Sequence, residues 1–221
     1  MAHDFRARLK RRETLLGTMV TLASAASAEI LAAAGFDWLF IDCEHGPLGI
    51  RELTEILQAV GDKTACIVRV PEAAEVPIKR ALDLGAHGII VPQVNTAEQA
   101  AAVVRWSRYA PEGARGVGLA RAQGYGARFR EYLSRANDEI AVIVQAEHAS
   151  AVDNIEAIAV SRRSGRGEDP DGGGGGTSNV LRRLLATLLC EMDGVQSSEG
   201  VLVVATSSAP WLIDAAVIRQ G

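Results

Sequence analysis

This chain of 221 residues predicts an α/β protein with a parallel sheet, on two observations. Short apolar runs alternate with stretches of helical periodicity up to about residue 159, the pattern of repeated βα units. Glycines stand where helical stretches stop, at Gly35, Gly61 and Gly85, in the manner of helix C-caps. Buried strands in this order imply either an open, doubly wound sheet or a barrel.

Taken in chain order, the candidate strands are residues 15–22, 38–41, 65–70, 88–91 and 140–145. The clearest helix between them sets Leu53, Ile56, Leu57 and Val60 on one face, the i, i+3, i+4, i+7 spacing of an amphipathic helix. The start of the chain has a competing reading. A basic stretch from Arg6 to Arg12 precedes the fairly apolar residues 15–23, a loose mimic of a secretory signal. Gly17, Thr18 and Thr21 dilute that apolar stretch, and the same residues read as a first strand, a polar loop and an alanine-rich helix. The second reading is the expectation.

Past residue 159 the regular pattern breaks. Residues 161–176 hold no apolar side chain, and 172–176 is a pure glycine run, which predicts a flexible linker over 160–178. Beyond it Leu181, Leu184, Leu185, Leu188, Leu189 and Met192 repeat at helical spacing, a turn follows at Asp193-Gly194, and 201–206 reads as a strand before a last helical pattern. The expected organisation is thus 1–159, the linker 160–178, and a helix–strand–helix fragment over 179–221.

Composition narrows the function. A net charge of −4 argues against a nucleic-acid partner, which calls for a basic surface. Cys43, Cys66 and Cys190 are odd in number and far apart, which favours reduced thiols and a cytoplasmic setting over a disulfide framework. No apolar run reaches the roughly 18–20 residues of a membrane span.

Chemistry gathers at the carboxyl ends of the strands, where α/β proteins place their sites. The segment Phe36-Asp-Trp-Leu-Phe-Ile-Asp-Cys-Glu-His-Gly46 runs from a buried strand into Asp42, Glu44 and His45. Strand three ends at Arg69 before Pro71, and strand five delivers Gln145 and Glu147. An imidazole, a fixed cation and a carboxylate able to bind metal form a set suited to polarising a carbonyl and moving a proton beside it.

Residues 14–159 resemble the metal-dependent 2-oxo-acid (pyruvate) aldolases of the HpcH/HpaI group. The stretches that carry the resemblance are Phe36 to Pro47, Ile67-Val-Arg-Val-Pro71, Gly88-Ile-Ile-Val-Pro-Gln93, Arg115-Gly-Val-Gly118, Tyr132-Leu-Ser-Arg-Ala-Asn137 and Val144-Gln-Ala-Glu147. The resemblance implies an incomplete TIM-type (β/α) barrel of about five βα units, assembled as a homo-oligomer. It also implies a carbon–carbon lyase acting on a 2-oxo acid and an aldehyde, with Mg2+ or Mn2+ as cofactor. By position, His45 becomes the acid/base residue and Asp42 its orienter. Arg69 holds the keto oxygen, Asp83 supports the histidine network, Gln145 lines the pyruvate site, and Glu147 binds the metal.

The chain also departs from that pattern. The family's second metal carboxylate, in a Gly-Pro-Ser-Asp-Leu-like stretch, and its last three barrel strands have no counterpart after Ala159. Instead, Asn179 to Val195 followed by Gly200-Val-Leu-Val-Val-Ala-Thr206 resembles the middle of an AAA ATPase domain, with Ser208 at its nucleotide-sensing position and Arg219 near its arginine finger. No phosphate-binding loop accompanies it, since Gly61-Asp-Lys-Thr64 lacks the direct Gly-Lys pair. The expectation is a composite whose front is an aldolase. The alternatives are a non-catalytic composite, or an ATPase-derived interaction fragment without ATP hydrolysis.

Overall fold

The computed structural model describes residues 4–160. The linker expected over 160–178, apart from Val160, and the fragment expected over 179–221 lie outside the described residues. Five strands form one sheet: β1 (Gly17–Val20), β2 (Trp38–Asp42), β3 (Ala65–Arg69), β4 (Gly88–Val91) and β5 (Ala141–Val144). All neighbours pair in parallel, and the order in the sheet is the order in the chain. That settles the choice the apolar pattern left open. A doubly wound sheet reverses its strand order at a switch point, whereas a sheet that only advances, strand after strand, is the winding of a (β/α) barrel. The described residues form an open, partial barrel.

The helices are α1 (Phe5–Lys10), α2 (Ala25–Ala33), α3 (Ile50–Val60), α4 (Glu75–Asp83), α5 (Ala97–Ser107), α6 (Phe129–Glu139), α7 (Ala149–Asp153) and α8 (Ile155–Val160). Local chemistry starts and stops them. Ser24 accepts the Ser27 amide ahead of α2, and Thr96 with Gln99 makes a reciprocal capping box ahead of α5. Beyond α2 and α4 the chain turns through Gly35 and Gly85 at φ +91° and +92°, a conformation that costs glycine little. The residues that compete for a signal reading form β1 and α2. Strand two runs one residue further than the apolar pattern predicts, to Asp42.

Alternating strand positions feed two cores. Cys66 and Val68 of β3 join Leu39, Ile41, Ile56, Leu57, Ile78 and Leu82 between the sheet and its helices. Ala65 and Ile67 point to the other cluster with Ile90, Ala141 and Ile143. That second face is met by Phe5 of α1, whose ring lies 5.7 Å from the Trp38 ring. Helix α1 therefore covers the sheet face opposite the main helical layer, a role its basic composition conceals. Arg6 fastens it by donating to the carbonyls of Asn137 (2.8 Å) and Asp138 at the end of α6.

Candidate active site

Register assembles the carboxyl edge. Pairing of β2 with β3 sets Asp42 opposite Arg69, although 27 residues separate them. The Arg69 guanidinium donates from Nε to Asp42 Oδ1 (2.9 Å) and from Nη2 to Oδ2 (2.7 Å), a two-pronged grip. It also lies over the Phe40 ring at 5.2 Å. Both side chains are largely buried, at 12% and 3% exposure. Burial alone would raise the Asp42 carboxyl, but the bonds from Arg69 and from the Glu44 and His45 amides outweigh it and hold Asp42 below the ordinary range. The same bond to Asp42 raises Arg69 further above its ordinary value.

The loop after β2 is folded by that carboxylate. Asp42 Oδ1 accepts the backbone amides of Glu44 (3.1 Å) and His45 (3.3 Å). Gly46 allows the tight return, because a Cβ there would collide with the Asp42 carbonyl. Asp42 thus positions His45 through its backbone. The carboxylate nearest the imidazole is Glu44, with Oε2 3.7 Å from His45 Nε2 and 3.2 Å from Arg69 Nε. The His45 side chain is 73% exposed, open to an incoming molecule. Cys43 sits in the same loop, where burial and then Asp42 push its thiol up to about 11, so it is no nucleophile at neutral pH.

Glu147 reaches this rim from β5. Its Oε1 accepts the backbone amide of Gln93 at 2.9 Å, and its charge acts on Arg69. Gln93 holds φ +56°, unusual for a residue with a side chain, and this conformation accompanies the bond to Glu147. Among the described residues, the buried Gln145 Oε1 after β5 and Asn95 Oδ1 after β4 have no hydrogen bond, and Glu44 Oε2 has none beyond its ionic contact with Arg69. Buried polar atoms of this kind call for a partner.

Of the residues picked out from sequence, Asp42, His45, Arg69, Gln145 and Glu147 come together at one edge. Asp83 does not join them in this chain. It ends α4, which leads back to the amino end of β4, and its Oδ1 takes Arg115 Nη2 at 2.6 Å. The contributions of Glu44 and Gln93 went unassigned at the sequence level. Glu44 was visible as one of three polar groups in the loop; the bond from a backbone amide to a carboxylate 54 residues on was not.

A parallel sheet wound in chain order, with Asp42, Glu44, His45 and Arg69 at its carboxyl edge, defines a protein of the (β/α)-barrel fold class. This chain belongs to the HpcH/HpaI aldolase/citrate lyase family, which matches residues 16–166. It is 48% identical over 159 residues to a 4-hydroxy-2-oxovalerate aldolase of Rhodococcus jostii, covering 71% of this chain and 61% of the relative. It is 41% identical to a 5-keto-4-deoxy-D-glucarate aldolase of Klebsiella pneumoniae, covering 72% and 62%. A solved HpcH/HpaI aldolase/citrate lyase family protein from Burkholderia cenocepacia superposes with a TM-score of 0.68 at 40% identity, covering 72% of this chain and 65% of that one. The chain spans about three fifths of the length of the aldolases it matches. The family of ATPases associated with various cellular activities (AAA) matches residues 113–221. This match begins well before residue 179, and over 113–160 it overlies α6, β5, α7 and α8 of the sheet described above.

Proposed function

We propose that this chain is a carbon–carbon lyase, an aldolase that cleaves or joins 2-oxo acids and aldehydes through a pyruvate-type enolate. The observation that carries this reading is Arg69: a guanidinium gripped by a buried carboxylate, bordered by Glu44, His45 and Glu147, with Nη1 making no hydrogen bond among the described residues. Nη1 is suited to the keto oxygen of a 2-oxo acid, where negative charge grows as the enolate forms. In the cleavage direction the exposed His45 imidazole takes the proton of the aldol hydroxyl. The carbon–carbon bond then breaks, the aldehyde leaves, and the electron pair passes into the enolate. The imidazolium returns its proton to the enolate carbon. Asp42 keeps Arg69 and the His45 loop in place, and Gln145 lines the bound acid.

A divalent cation fits the donors present, in a limited way. Among the described residues no three His, Cys, Asp or Glu side chains gather as a ready metal site. Mg2+ nevertheless keeps several waters and binds through one or two carboxylates; Glu147 offers one, and the unpaired Gln145 Oε1 belongs to the same segment after β5. When bound there, the ion would supply Lewis acidity at the keto oxygen.

The relatives' names support the substrate class, and we extend the reading to a cytoplasmic homo-oligomer divided as 1–159, 160–178 and 179–221. One observation favours a second reading, a non-catalytic composite: the AAA family matches residues 113–221, overlapping the aldolase match. Thermal denaturation with Mn2+ and oxalate, a pyruvate analogue, tests the site, and a retro-aldol assay on 4-hydroxy-2-oxovalerate separates the two readings. The aldolase reading expects turnover and a stabilisation that His45→Ala retains and Glu147→Ala abolishes. Stabilisation without turnover selects the non-catalytic composite, and no response to metal and oxalate overturns the site itself.

A further inference from the structure

Cationic side chains concentrate in one stretch of the chain between β4 and β5. Between residues 105 and 135 the sequence carries seven arginines against Glu112 and Glu131, although the whole chain has a net charge of −4. Part of this stretch walls a cleft of about 290 Å3 at the amino end of the sheet, bordered by the ends of α3 and α4, the residues entering β4 and β5, and one face of α6. Arg121, Arg128 and Arg135 line it, with Asp62 and Glu139 as the opposing carboxylates.

The three cations are not equivalent. Arg135 is neutralised within its own helix by Glu131 (3.1 Å) and Glu139 (3.4 Å). Neither Arg121 nor Arg128 has an ion-pair partner among the described residues. Arg121 is nonetheless fixed: Nη1 donates to the Leu84 carbonyl (2.8 Å) and Nη2 to the Leu57 carbonyl (2.7 Å). Gly85 leaves room for it, since a Cβ there would come within 2.8 Å of Nη1. A cation already immobilised pays little further ordering cost when an anion arrives. Its volume puts the cleft near the lower limit of small-molecule sites, about 300 Å3, with ample room for a small oxyanion and its waters.

We propose that this amino-edge cleft binds a small multivalent oxyanion between Arg121 and Arg128. The site stands apart from the carboxyl edge and does not depend on the aldolase reading. The same guanidinium chemistry serves a phosphoryl group or a dicarboxylate, so the experiment uses both. The full chain is titrated with inorganic phosphate and, separately, succinate at ionic strength held constant with chloride, following thermal denaturation and backbone amide chemical shifts. At least one anion is expected to stabilise saturably and to shift the Gly85 and Gly124 amides. Arg128→Gln is expected to weaken it about tenfold or more, whereas Glu147→Ala leaves it unchanged. A response to phosphate alone assigns a phosphoryl ligand, to succinate alone a diacid, and to both a general oxyanion site. If neither anion exceeds chloride, if Arg128→Gln binds as the unaltered chain does, or if the shifts fall at the carboxyl edge, the proposal is overturned.

Discussion

The sheet carries a buried arginine–carboxylate pair toward each end, and the two are built for different work. At the carboxyl edge Arg69 grips Asp42, yet Glu44, Glu147 and the exposed His45 surround it and one nitrogen is left over. Toward the amino edge Arg115 is closed in completely. Its side chain has no exposure, Asp83 holds it at 2.6 Å, and the rings of Tyr109 and Tyr132 flank it at 4.5 and 5.9 Å. Burial pushes the Tyr109 hydroxyl up to about 12, so it stays neutral beside that cation. The difference teaches that burial and ion pairing do not themselves mark a reactive centre. Spare hydrogen-bonding capacity does not separate the two pairs either, since the buried Arg115 Nε also lacks a partner among the described residues; the exposed imidazole beside Arg69 does.

Removing Arg115 should sharpen the contrast most. Arg115→Ala strands the Asp83 charge beside two tyrosines and is expected to cost about 3–5 kcal/mol in urea unfolding, with little specific effect on turnover by the protein that remains folded. Equal stability of the variant would show that the pair is not structural. Next comes Arg69→Lys, which keeps the charge but loses the two-pronged grip and the free nitrogen. Steady-state retro-aldol kinetics should fall by about 10²–10³ with a smaller change in unfolding midpoint. A variant with normal kinetics would remove Arg69 from the reaction.

A smaller effect probes the framework around Arg115. Asn137 accepts the Tyr109 amide at 2.8 Å and donates to its carbonyl at 3.0 Å, tying α6 to the segment that carries the arginine. Asn137→Ala should cost about 1–3 kcal/mol, one to two hydrogen bonds with a part-buried donor left unmet, as read from the denaturant midpoint. The mildest test is acid titration. Because the folded Asp42 carboxyl titrates below its ordinary value, its ionisation stabilises the fold fully above about pH 4. That contribution is lost as pH falls through the depressed value. Asp42→Asn should lower stability at pH 7 and flatten the acid limb; an unchanged acid limb would contradict the depressed titration.

Much of this was legible from local pattern. The five strands, the amphipathic face of α3 and the glycine turns after α2 and α4 followed from periodicity, since each depends on residues a few positions apart. The polar cluster after β2 likewise pointed to the edge where Asp42 and Glu44 meet Arg69. Helix α1 escaped notice because a short basic segment shows no apolar stripe, only Phe5 and Leu9, and its cover of the sheet depends on a tertiary contact.

By itself, then, the sequence determined the succession of βα units and which strand ends carry reactive groups, because alternation and turn chemistry act over a few residues. Only the tertiary structure decided which carboxylate meets which cation: Asp42 with Arg69 through strand register, Asp83 with Arg115 at the other end, Glu147 with the Gln93 amide. These pairs span 27, 32 and 54 residues. Their geometry is set by the winding of the sheet and the positions of its helices, which no short window of sequence contains.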